Sequence, residues 1–369
     1  MNKKRKMELF ETLYRHIKVK NLQEQDKENR QGLTFSEDTE DSSFKTQSKS
    51  VSKPQIPKEI IRSSLSTFGQ TVNGSYSFLS CDLSSKGLVS LNGIQSYDKL
   101  EHLNCSKNDL SEVEELAALA NLFFLELSRN KIQRLSLTHF SSKLVTLDLS
   151  HNKLKKLPQL SRLPFLKKFR ASHNCLTSFG ELRHQQLEDL DLSHNSVSII
   201  EGPLDFPLLA LLDFSFNELF DISPFQNLAN LQILRLNKNS IRSLNALQFL
   251  ETLIELELAC NEIAAFDEIN LLNSLPYLSA LDLSMNICQS LKFYRFQVIY
   301  MLPGLTVLDG QPVDPKEQVT AACFFGEFID LENRIFSEQL PEEKFIDKRV
   351  FMSGLVMKIH MSPRIDLSI

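Results

Sequence analysis

Glycine is scarce in this chain: 11 of 369 residues, about half the share of roughly 7% found in ordinary proteins. That leaves few loops able to cradle a phosphate, and no G-x-x-x-x-G-K-[ST], G-x-G-x-x-G, H-E-x-x-H or G-x-S-x-G motif occurs. Long apolar runs are missing too. No stretch reaches the roughly 18 residues that a membrane-crossing helix needs, and the basic start MNKKRK is not followed by the apolar region of a secretion signal. The six cysteines are scattered singly, with no C-x-x-C pair. Neither a disulfide framework nor a zinc site is therefore expected, and the compartment reads as reducing, cytoplasm or nucleus. There is no excess of one charge: 41 Lys+Arg stand against 46 Asp+Glu, a net charge of -5, which argues against a dedicated nucleic-acid binder. Only the first 20 residues are strongly basic, with seven Lys/Arg against two acids.

The hydrophobic fraction of 42% is enough for a buried core, and its arrangement is periodic. KLEHLNCSKNDL, NLFFLELSRNKI, KLVTLDLSHNKL, FLKKFRASHNCL, QLEDLDLSHNSV, LLALLDFSFNEL, NLQILRLNKNSI, TLIELELACNEI and YLSALDLSMNIC are nine copies of one phrase, L-x-x-L-x-L-x-x-N-x-L. Their asparagines, from Asn108 to Asn286, are spaced by 22 residues except for one step of 21 and a last step of 25. A tenth, degenerate copy precedes them with Lys86 in the asparagine slot. The x-L-x-L-x stretch predicts a short strand with leucines inward, and a fixed period predicts that such strands stack into one curved parallel sheet. About 11 residues link one phrase to the next, too few for a crossover helix. The convex side should then be 3₁₀ turns, with room for a helix only around Asp267 to Leu275 in the longer last unit. The fold class expected is an α/β solenoid, a horseshoe with its sheet on the concave side.

This phrase is the leucine-rich-repeat pattern. After it, Tyr294, Arg295, Ile299, Leu302, Pro303, Leu305, Leu308 and Asp309 match Y-R-x-x-x-I-x-x-L-P-x-L-x-x-L-D, which resembles the terminal cap of intracellular proteins with 22-residue leucine-rich repeats. The resemblance covers about residues 78–313. Ile287 departs from it, standing where the family usually has proline. It implies a non-catalytic scaffold for protein partners, as in phosphatase regulatory subunits, spliceosomal proteins, dynein light chains and radial-spoke components. Length, charge and flanking tails are most similar to the ciliary and axonemal members. These imply docking to axonemal or microtubule-associated complexes in the cytoplasm or cilium, as a monomer within a larger assembly. Some ciliary relatives continue into a guanylate-kinase-like domain, but no phosphate loop is present to carry that activity over. The alternative is a regulatory or adaptor subunit of a phosphatase or nuclear complex, with Lys3-Lys4-Arg5-Lys6 as an import signal.

Outside the repeats, residues 1–56 are expected to be mostly disordered around a short amphipathic helix over 7–22. A capping helix is expected over 57–77, a flanking helix over 314–336 started by Asp314 and Glu317, and a tail over 337–369. The repeat phase also predicts the exposed columns. Between the inward leucines lie Asp82, Asn104, Glu126, Asp148, Arg170, Asp191, Asp213, Arg235, Glu257 and Asp282, seven of them acidic. Beyond a run of serines come Lys107, Arg129, His151, His173, His194 and Lys238. Three histidines in a row invite a metal site, but no carboxylate or thiol repeats at ligand spacing, so no metal or cofactor is expected. Leu211, Phe216 and Ile233, with Phe123 and Phe124 in an earlier unit and Cys260 and Met285 in later ones, put apolar groups where the face should be polar. The candidate partner-binding set is therefore Phe124, Asp148, Arg170, Asp191, Leu211, Asp213, Phe216, Ile233, Arg235 and Glu257; neither nucleic acid nor membrane is expected as a partner.

Overall fold

The computed structural model describes residues 54–326, apart from 72–73, 138–139 and 180–182. The expectations for a helix over 7–22 and a tail over 337–369 lie outside the described residues.

Each repeat phrase contributes one short strand: β3 (His102–Asn104), β4 (Phe124–Glu126), β5 (Thr146–Asp148), β6 (Lys168–Arg170), β8 (Asp189–Asp191), β10 (Leu211–Asp213), β11 (Ile233–Arg235), β12 (Glu255–Glu257) and β13 (Ala280–Asp282). They run parallel in strict register, for example Leu147 opposite Phe169 and Leu212 opposite Leu234. The central residue of every strand, from Leu103 to Leu281, is buried, and so is the apolar residue two positions on. Side chains alternate along a strand, so this 22-residue phase drives one apolar column after another into a single core. The convex side is built of 3₁₀ turns such as Glu114–Ala118, Ser223–Asn227 and Asn245–Phe249. Two extra strands, β7 (Ser178–Phe179) and β9 (Ile199–Ile200), pair in a small parallel sheet of their own. In the longer last unit a short helix, α2 (Phe266–Asn270), runs into a 3₁₀ turn over Leu271–Ser274.

Among the described residues the main sheet has 13 strands, and its two ends are antiparallel. At the N-terminal end, helix α1 (Lys58–Ser64) gives way to strand β1 (Leu65–Gln70), which pairs antiparallel with β2 (Tyr76–Asp82). The helix expected over 57–77 is therefore only its first third. Ser-Ser-Leu-Ser-Thr-Phe-Gly is a poor helix sequence, and an open sheet edge beside it offers backbone partners instead. Order also begins earlier than expected: Ile56 is buried, and its N–H donates to the Asn92 carbonyl at 2.8 Å. At the C-terminal end α3 (Tyr294–Met301) is followed by β14 (Val307–Leu308) and β15 (Gln311–Pro312). Pro312 on the outermost strand cannot donate to a further one.

The C-terminal end is fastened by side chains. Arg295 donates to both carboxylate oxygens of Glu317 at 2.8 and 2.9 Å and to the carbonyls of Leu308 and Pro312. Glu317 also accepts the Asp314 N–H, and Asp314 accepts that of Lys316, closing the start of helix α4, helical from 315 to 326.

Candidate partner-binding face

Three columns of side chains cross the strands, and the backbone fixes each. The deepest belongs to the asparagines. Asn217 is buried; its amide donates to the carbonyls of Leu192 and Phe214, each at 3.0 Å, and its oxygen accepts the Val197 N–H. The same pattern repeats at Asn130, Asn152, Asn174, Asn195, Asn239 and Asn261. In the first unit, where Lys86 replaces asparagine, Asn108 accepts two N–H groups, of Lys86 and Leu88. These bonds complete the backbone groups that the turn leaves unpaired.

The residue before each asparagine, and Ser85 before Lys86, sits in the left-handed region, with φ between 52° and 61° from Ser85 through Met285. Side chains other than glycine and asparagine seldom adopt it. Here the geometry is held by the neighbouring unit, because from Ser85 to Cys260 the N–H of each such residue donates to a carbonyl of the next unit, as His151 does to Ser172 at 2.8 Å, while that of Met285 donates to the Gln289 side chain. The side chains are thereby set in a row along the rim of the sheet. His151, His173 and His194 stack face to face, with ring centroids 4.0 and 3.9 Å apart and planes within 12° of parallel. Phe216 continues the stack at 3.9 Å from His194, and Lys238 Nζ lies 4.4 Å above the Phe216 ring. Parallel rings of this kind do not converge on a point. Among the described residues no group of three or more His, Cys, Asp or Glu side chains is arranged to hold a metal ion.

On the concave strands the candidate acids have structural duties. Asp148, Asp191 and Asp213 each accept the N–H of the serine two residues on, at 2.8 to 3.0 Å, as Asp82 and Asp282 do in their units. Burial pushes the Asp213 carboxyl above its ordinary value, with Asp191 adding to it and Arg235 opposing. Two of the basic candidates are engaged: Arg235 bonds Glu257 at 3.0 Å and Glu255 at 3.1 Å, and Arg170 lies 3.7 Å from Asp189. Glu257 further accepts the Asn237 amide.

Apolar candidates fall in two places. Leu211 and Ile233 are register partners on β10 and β11, half-buried side by side; the same column holds Thr146, Lys168, Asp189 and Glu255 in neighbouring units. Phe216 is not on a strand as expected: it belongs to the rim and is 38% exposed. Phe124, 39% exposed, stands several strands away and stacks on His102 at 4.4 Å. Sequence reasoning missed His102 and a further cluster on the N-terminal hairpin, where Phe68 touches Tyr76 and Phe78 with all three rings exposed. The signal was present as Y-S-F in β2, but the expected helix hid its pairing with β1.

A family model described as leucine-rich repeat matches residues 186–328, from the fifth repeat phrase through the cap, over strands that stack in the register just described. The repeats form a leucine-rich-repeat solenoid. Among solved structures, a leucine-rich-repeat protein of Leptospira interrogans is 25% identical, with a TM-score of 0.41 over 65% of this chain and 74% of that one. The leucine-rich-repeat domain of APL1B is 24% identical, with a TM-score of 0.47 over 58% of this chain and 62% of that one. TLR13, in its complex with ssRNA13, is 25% identical, with a TM-score of 0.49 over 58% of this chain and 36% of that one. No curated protein sequence matches the chain. Within the solenoid, the candidate residues from Asp148 to Glu257 share one concave face and its rim, while Phe124 lies toward the N-terminal end.

Proposed function

We propose that this leucine-rich-repeat chain is a non-catalytic intracellular scaffold that grips a protein partner on its concave face, in a ciliary, axonemal or other cytoskeletal complex. The observation that carries the binding part is the Leu211–Ile233 pair. Two branched apolar side chains meet on adjacent strands in a column that is otherwise largely polar, beside the half-buried Asp213. Apolar groups placed where solvent would favour polar ones are where partners gain most on binding. The cellular setting rests on the resemblance of repeats and cap to ciliary and axonemal relatives. The partner is a protein, and association with axonemal or microtubule-bound assemblies follows from that resemblance.

The test is co-sedimentation of the full chain with salt-washed axonemes. Wild type should pellet with them, and the Leu211→Asp/Ile233→Asp variant should stay in the supernatant with an unchanged melting temperature. Equal pelleting of both would remove the concave face from the reading, and no pelleting of wild type would remove the axonemal setting. The basic run Lys3-Lys4-Arg5-Lys6 favours a nuclear or phosphatase adaptor as a second reading. Nuclear accumulation of the tagged protein, lost on neutralising those four residues, would decide for it.

A further inference from the structure

Along the rim from Lys107 to Lys238, seven consecutive units place no acidic residue in the left-handed position. At strand spacings of about 4.8 Å this ridge runs for roughly 29 Å. Among the described residues no carboxylate forms an ion pair with Lys107, Arg129 or Lys238, and Lys238 meets only the face of Phe216. The ring nitrogens of His151, His173 and His194 likewise have no hydrogen-bond partner among the described residues. Stacking consumes the faces of the imidazoles and leaves their nitrogen-bearing edges for something else. The fixed spacing of free donors in one line matches an extended anion, not a compact one.

We propose that this ridge binds an extended acidic segment of a partner polypeptide, and that the three stacked imidazoles tighten the grip as they gain protons. The inference deepens the scaffold reading and rests on it. A peptide fits better than a nucleic acid because Asp148, Asp191 and Asp213 lie three residues before the ridge positions on the same units. A strand-like peptide can put carboxylates on one side, about 7 Å apart, and neutral groups on the other. A nucleic-acid strand, with a charge at every phosphate, would meet the carboxylate column as well as the ridge.

The charged groups acting on the imidazoles are Arg129, Asp148, Asp191 and Lys238, with Arg170 on the strand of the middle unit. Burial, and then repulsion from His173, hold His151 and His194 below the ordinary imidazole value. Arg129 adds to this at His151 and Lys238 at His194, while the nearby aspartates oppose it. An anion on the ridge offsets that repulsion, so binding takes up protons and strengthens as pH falls.

The experiment measures fluorescence anisotropy of a labelled 16-residue peptide of alternating Asp and Gly with the full chain, in low salt. Between about pH 7.5 and about pH 5.5, where the peptide carboxylates stay ionised, affinity should rise about tenfold as the ridge gains positive charge. His151→Gln/His173→Gln/His194→Gln should bind at both pH values with the weaker affinity. Arg129→Gln/Lys238→Gln should weaken binding at both while keeping the rise. His173→Gln alone, the mildest change, should give an intermediate rise and guards against a folding defect in the triple variant. Absence of peptide binding at the lower pH, a rise that persists in the triple variant, or tighter binding of a single-stranded oligonucleotide of equal charge would each overturn the proposal. Axoneme pelleting reads the Leu211–Ile233 pair and peptide binding reads the ridge, so failure of the concave patch and failure of the ridge are separable.

Discussion

Two stripes of side chains run side by side through the solenoid, one residue apart in sequence, and they share almost nothing chemically. The asparagine stripe is monotonous and buried, and its amides are used up in bonds to the unit before and to their own turn. The stripe before it lies on a backbone just as constrained, with φ near 55° at unit after unit. Its side chains nevertheless run through Lys, Arg, His, Phe, Cys and Met and point outward. The difference teaches that a repeat separates what holds the backbone from what meets a partner, at adjacent positions. Where the backbone is already satisfied by asparagine, the neighbouring side chain is free to take any chemistry.

The sharpest way to break this division is to remove one asparagine. Asn217→Ala strips the Val197 N–H of its acceptor inside the core and leaves the Leu192 and Phe214 carbonyls with one amide donor each, from Asn195 and Asn239, in place of two, and it withdraws support from the left-handed Phe216. The unmet N–H and the two lost donors together cost about 3 kcal/mol, readable as a shift in the urea midpoint. A loss under about 1 kcal/mol would mean that water enters the turn and replaces the amide. Next comes the cap, where the stripe ends. Arg295→Ala removes a two-pronged bond to Glu317 and donors to two carbonyls. It should cost about 2 kcal/mol, and hydrogen exchange should show the loss confined to the last strands, because contacts in a solenoid are between neighbours.

A smaller effect separates the concave acids from both stripes. Asp213→Ala forfeits the acceptor for the Ser215 N–H and should lose about 1 kcal/mol, whereas Asp213→Asn keeps an acceptor and sheds a half-buried charge. Burial raises the folded-state value of the Asp213 carboxyl, so its contribution is greatest at acid pH and is lost as pH rises through the carboxylate range. Asp213→Asn should therefore match or exceed wild type near neutrality in thermal unfolding, and the advantage should vanish in acid. A destabilised Asn variant at neutral pH would give the carboxylate a role beyond accepting one N–H.

How far the sequence discloses this follows from the same division. The solenoid, the inward columns, the 3₁₀ turns and the α2 region are legible because each depends on residue types recurring at a period. The caps are less so: β1 is specified by an open edge of β2 that only the assembled fold supplies. The site is legible as columns but not as contacts. That Asp148, Asp191 and Asp213 turn back onto serine N–H groups and that Arg235 is tied to two glutamates depends on rotamers, which leave no mark in a hydrophobic pattern, whereas the place of Phe216 in the histidine row follows from the period, since it precedes Asn217 as His194 precedes Asn195.

The rim stripe should show the least effect on stability of all, and a sign opposite to Asp213. With their folded-state values lowered, His151 and His194 take up protons less readily folded than unfolded. Their contribution is then fully present above the unfolded imidazole value of about 6.5 and declines as pH falls through it. His173 is exposed and His151 and His194 are only partly buried, so the whole effect is small. His151→Gln/His173→Gln/His194→Gln should unfold within about 0.5 kcal/mol of wild type near neutrality, and its stability should fall less steeply than that of wild type between about pH 7 and pH 5. A large loss at neutral pH would show that the stack braces the turn as the asparagines do, and the division between holding and meeting would fail at these units. If the neutral-pH change is small and the acid slope is reduced, the histidines are spare to the fold, and the charge they gain is available to a ligand.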